Sequence, residues 1–65
     1  MRTSKILAKQ LHAGDYLVER SKGRRVGRHI CELHIDRRIV KAKVNVKYGT
    51  EWREFKRTQK VWVMK

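Results

Sequence analysis

Sixty-five residues with 18 Lys and Arg against six Asp and Glu carry a formal charge of +12, with 40% hydrophobic residues, four glycines, one cysteine and no proline. A chain this short makes one domain, residues 1–65, and buries only about 60% of the surface its unfolded form exposes; that leaves no room for a deep enzyme pocket, and a lone cysteine excludes an internal disulfide. The longest apolar run, Val61-Trp62-Val63-Met64, falls far short of the roughly 20 residues of a membrane span, and Met1 to Lys9 lacks the apolar stretch of a signal peptide, so a soluble, cytoplasmic protein is expected.

In chain order, Thr3 or Ser4 either caps a helix through Ile6, Leu7 and Leu11, or Ile6 lies in a strand followed by a helical turn near residues 8–12. The second reading is favoured. After Gly14-Asp15, where the carboxylate is expected to bond turn amides, Tyr16-Leu17-Val18 reads as a β segment that ends in the polar run Glu19 to Arg25. Arg28 to Asp36 is a further strand, with Cys31, Leu33 and Ile35 on one parity and Glu32 and His34 on the other. Ile30 breaks the pattern, which a bulge or a buried second face near it would explain. Asp36-Arg37-Arg38 makes a turn into the clearest strand, Ile39 to Tyr48, in which Val40, Ala42, Val44, Val46 and Tyr48 alternate with Lys41, Lys43, Asn45 and Lys47. Trp52 to Arg57 has no clean register, and Val61 to Met64 closes the chain as a short strand. Because the apolar supply is thin, Trp62 and Trp52 are expected in the core and Cys31 as a small buried residue. About five short strands in this length describe an all-β fold, a small SH3-like barrel.

So many cations on so small a surface repel one another unless an anionic partner is near, and they are spread along the whole chain. Five of the nine residues from Arg20 to Arg28 are basic: Arg20, Lys22, Arg24, Arg25 and Arg28. With Gly23 and Gly27 to admit a close backbone approach, this segment is suited to phosphate. Lys41, Lys43 and Lys47 form a stripe on the wet face of the best strand, suited to the backbone of a duplex. If Trp62 and Met64 face outward, they are placed to stack on bases or wedge between them. The spacing of His12, His29, Cys31 and His34 gives no convergent metal set, and no nucleophile, base or carboxylate pair has the support of a catalytic arrangement. A non-enzymatic protein without cofactor or metal is expected.

Gly14-Asp15-Tyr16-Leu17-Val18, then Lys22-Gly23-Arg24-Arg25-Val26-Gly27-Arg28, the strand from Ile30 to Asp36 and the strand from Arg38 to Val46 together resemble the KOW motif of SH3-like barrels in transcription-elongation factors and ribosomal proteins. The likeness spans Ala13 to Tyr48. It departs by one extra residue between Gly23 and Gly27, and by His29 and Cys31 where the family tends to be aliphatic. The resemblance implies a barrel whose loops bind nucleic acid or a protein of the transcription or translation machinery. In size, charge and an outward Trp and Met, the composition is also reminiscent of the small basic chromatin proteins of archaea. Nucleic-acid binding through phosphates, to duplex DNA somewhat ahead of RNA and with limited sequence specificity, is the expected function. The rival is a small interaction module, of the kind a bacteriophage encodes, that docks on a DNA-processing or RNA-handling enzyme or regulator.

Overall fold

The alternation of Val40, Ala42 and Val44 with lysines forces one face of their strand away from water, and in the computed structural model, which describes residues 2–64, all three are fully buried. The strands are β1 (Thr3–Leu7), β2 (Tyr16–Ser21), β3 (Arg24–Ile35), β4 (Ile39–Val46), β5 (Gly49–Lys56) and β6 (Lys60–Met64), with one 3-10 turn at Ala8–Gln10. They form a single sheet in the order β1-β6-β2-β3-β4-β5, with antiparallel pairing throughout. The fold is all-β, as expected, and the helical turn falls where the N-terminal pattern placed it. The sixth strand is β5, which the sequence left without a register.

The sheet curls around its own core. Leu17, Ile30, Val40, Ala42, Val44, Val61 and Val63 point inward from four strands, Ala8 and Leu11 enter from the 3-10 turn and its exit, and Ile6, Leu33, Val46 and Phe55 flank them. The bend comes from β3, whose first half pairs with β2 and whose second half pairs with β4. Ile30 faces Val44 and Glu32 faces Lys43, so Cys31 is an extra residue in the ladder. Such a bulge bends its strand and increases the twist; here it lets both Ile30 and Leu33 reach the core despite their opposite parity. It also turns Cys31 outward, where it is exposed rather than buried, with its Sγ 3.4 Å from the Lys43 carbonyl. The curl is tied by backbone bonds between segments distant in sequence: Ala8 N to Gln59 O, Lys9 N to Arg57 O and Arg57 N to Arg38 O.

Turn chemistry follows the side chains. Asp15 Oδ2 accepts a bond from His12 N at 2.9 Å, as its place after Gly14 predicts. Tyr48 departs from expectation: β4 ends at Val46, Lys47-Tyr48 make the turn before Gly49, and Tyr48 is 90% exposed. Asp36 Oδ1 accepts bonds from both Arg38 N and Ile39 N. Those amides, with smaller contributions from Lys41 and Arg57, hold the Asp36 carboxyl below its usual range. A carboxyl depressed in the folded state stabilises fully above its unfolded value of about 4, and that contribution is lost as pH falls through the folded value. Urea unfolding across a pH series should therefore lose stability below about pH 4, and less steeply for Asp36→Asn than for the parent. Equal acid slopes in the two proteins would show that the turn does not carry this dependence.

Candidate nucleic-acid interface

The basic stretch from Arg20 to Arg28 is a hairpin and not a loop, because Lys22 and Gly23 both adopt positive φ (52° and 77°) and make a two-residue turn matched to strand twist. With that turn in place, Glu19 faces Val26, Arg20 faces Arg25 and Ser21 faces Arg24. The run reads as polar because its inward positions also hold charges. Strand alternation sorts the cations onto two faces. Arg28 lies opposite Leu17 on the inner side, its Nε 3.6 Å from Glu19 Oε1. The same carboxylate takes a forked pair of bonds from Arg53 of β5, at 2.6 Å and 3.2 Å, and Arg53 also bonds Glu51 at 2.8 Å. Those bonds raise the Arg53 pKa above its usual value. Arg28, a phosphate candidate by sequence, is thus spent on an internal ion cluster.

Arg20 and Arg25 lie on the other face, where they meet the tryptophan of β6. Val61 and Val63 are buried while Trp62 is 47% exposed, so the expectation of Trp62 in the core is corrected: the valines take the inner face and alternation sends the ring out. Pairing between β6 and β2 stops after Leu17↔Val63. Beyond that point lies a hollow of about 210 Å³ lined by Thr3, Val18, Glu19, Arg20, Arg25 and Trp62. Glu19 is its lone carboxylate, already bonded to Arg53 and 3.6 Å from Arg28. Lys5, paired with Trp62 across β1 and β6, places its Nζ 5.6 Å from the ring centre. Lys5 was not foreseen from sequence; the parity of Thr3 to Leu7 would have found it once β1 was aligned with β6.

Met64 continues the same face but is half-buried, lying over Gly27 so closely that a Cβ there would sit 2.6 Å from Met64 Sδ. Gly27 therefore makes room for methionine rather than for a phosphate. Tyr16, 48% exposed, follows beside His29, their rings edge to face at 5.3 Å. Lys22 sits in the hairpin turn and Arg24 just past it, both exposed.

Lys41 and Lys43 occupy a different surface, the outer face of β4, where Glu54 faces Lys41 and Glu32 faces Lys43. Trp52 is also there, 48% exposed and not in the core, because Phe55 takes the inner parity of β5. Its ring lies 5.5 Å from that of His34, which bonds Glu32 at 2.6 Å, and Lys43 Nζ is 5.9 Å from the Trp52 centroid. Lys47, in the turn, lies over Tyr48 at 5.5 Å. The predicted stripe is thus interleaved with carboxylates and separate from the Trp62 hollow. Among the described residues no group of three or more His, Cys, Asp or Glu could hold a metal ion, and no helix is long and apolar enough to cross a membrane.

Comparison of the chain with protein-family models, curated proteins and solved structures gives no match.

Proposed function

We propose that this protein binds nucleic acid without catalysis, through the outer face of β6, β2 and β3, with duplex DNA somewhat preferred over RNA and little sequence specificity. The observation that carries the reading is the Trp62 hollow: a half-exposed indole beside Val18, with Lys5, Arg20 and Arg25 around it and its one carboxylate turned to internal arginines. Arginines take phosphate oxygens in pairs, and an indole between them stacks on a base or enters a base step. Arg24 and Lys22 extend the cationic edge along the hairpin. An SH3-like barrel of the KOW kind, suggested by residues 13–48, would present such a surface. In a cell the partner would be duplex DNA or RNA.

The test is the salt dependence of binding to a short duplex. With four to six phosphates neutralised, the slope of log affinity against log salt should be roughly −4 to −5, at about −0.9 per contact. No binding of duplex DNA, single strands or duplex RNA at low salt would end the proposal.

One observation favours a second reading. The outer face of β3, β4 and β5 combines half-exposed Trp52, beside the ring of His34, with mixed charges from Glu32, Glu54, Lys41 and Lys43. An apolar centre with a balanced charged rim resembles a protein-binding patch, which suits docking on a protein of the transcription, translation or DNA-processing machinery. A shallow salt slope together with a defined protein complex would favour it.

A further inference from the structure

Two turns and the 3-10 segment converge at a place the nucleic-acid face does not use. Arg57 N donates to Arg38 O, and Lys9 N donates to Arg57 O, so the turn after β3, the turn after β5 and the Ala8–Gln10 segment are bonded side by side. The cleft between them, about 560 Å³, is lined by Lys9, Arg37, Arg38, Lys56 and Arg57 with Ile39 and Thr58. It shares no lining residue with the Trp62 hollow.

Five cations from three segments meet here, with Asp36 beside Arg37 and Arg38 as a neighbouring carboxylate. Among the described residues none of the five forms an ion pair within 4.0 Å. That carboxylate bonds the amides of Arg38 and Ile39 and interacts with the charge of Arg57, so it offsets only part of the five positive charges. Arg57 Nε is out of solvent and has no hydrogen-bond partner among the described residues. Charges of one sign brought this close raise the local potential and repel one another, and an anion relieves that repulsion. Two adjacent guanidiniums at the rim, Arg37 and Arg38, supply forked donors that match phosphate oxygens better than ammonium groups do.

We infer that the Lys9, Arg37, Arg38, Lys56 and Arg57 cleft is a second phosphodiester-binding site, and that one protein molecule holds two segments of nucleic acid. This rests on the reading of the Trp62 face as the first site. Because the two sites share no residues, one segment can occupy each.

The experiment immobilises one short DNA duplex and measures retention of a second, fluorescent duplex by the full chain, alongside binding of a single duplex in solution. Arg37→Glu with Arg38→Glu should keep the fold by circular dichroism, since the turn uses only the backbone groups of Arg38. It should abolish retention of the second duplex while leaving most single-duplex binding. Lys41→Glu with Lys47→Glu, an equal change of charge elsewhere, should keep retention. Inorganic phosphate should shift the amide resonances of Arg37, Arg38 and Arg57 in the parent protein and not in the Arg37/Arg38 variant. Retention that survives the Arg37/Arg38 variant, or is lost equally in both charge-reversed proteins, overturns the inference. So does a phosphate-induced shift without any retention, which would make the cleft a site for free phosphate. Absence of even single-duplex binding would instead fall on the first site.

Discussion

Glu19→Ala should lower stability by about 2 kcal/mol, a loss out of proportion to one half-polar side chain. Exposed ion pairs contribute roughly 0–1 kcal/mol, and removing one partner of a fully buried pair costs about 3–5 kcal/mol because the other charge is stranded. Glu19 and its partners lie between these limits, with side-chain exposures of 20% for Glu19, 23% for Arg28 and 30% for Arg53. Its carboxylate is shared by two guanidiniums, and its loss leaves both aimed at the interior with only Glu51 on Arg53. At about 0.05–0.15 kcal/mol per residue a chain of this length has roughly 3–10 kcal/mol in all, so the variant should unfold at clearly lower urea with an unchanged dependence on denaturant. Glu51→Ala, at an exposed carboxylate on the same arginine, should cost under about 1 kcal/mol. If the two variants melt alike, the cluster does not hold β2 against β5.

That cluster is also why the hairpin was hard to read. A strand shows itself in sequence when its inner positions are apolar, as Val40, Ala42 and Val44 do. In β2 and early β3 the inner parity carries Glu19, Ser21, Arg28 and, at the exposed tip, Arg24 alongside Leu17 and Val26, so polar partners interrupt the alternation between wet and dry. Only the three-dimensional pairing of Glu19 with Arg53, 34 residues away, reveals which charges face in. β5 was obscure for a related reason: Trp52 and Phe55 differ in parity, and hydrophobicity alone does not say which of two aromatics is inside. The slip at Ile30, by contrast, is legible, since Ile30 falls out of step with Leu33 and Ile35; sequence leaves a bulge and a buried second face both open, and the pairing of Ile30 with Val44 and Glu32 with Lys43 makes it a bulge.

The candidate site was visible in its charges but not in its assembly. Arg20 and Arg25 were foreseen and do meet, because a two-residue turn places them opposite one another. A thin apolar supply points Trp62 to the core, because a small barrel needs every large side chain. Among the described residues the inner layer is instead filled by Ala, Val, Leu and Ile, with Phe55 at its margin. Small aliphatics suffice because the sheet curls tightly, and both tryptophans are left for the surface.

Trp62→Ala is the substitution that joins these points to function. A tryptophan buried in the core would cost about 3–5 kcal/mol on truncation; one 47% exposed, beside fully buried Val63, should cost only about 1 kcal/mol and leave a folded protein. Binding should respond more strongly. Loss of one stacking or wedging contact is worth roughly 1–3 kcal/mol, or about 5-fold to 150-fold in affinity. Lys5, Arg20 and Arg25 remain to hold phosphate, so the salt slope should stay nearly as steep while affinity falls at every salt concentration. In the parent, added duplex should quench the Trp62 fluorescence, and a Trp52→Ala protein, which retains Trp62, should still be quenched. A Trp62→Ala protein that binds duplex as tightly as the parent would remove the indole from the interface. One that fails to fold would show that the outer face of β6 carries more of the stability than its exposure indicates.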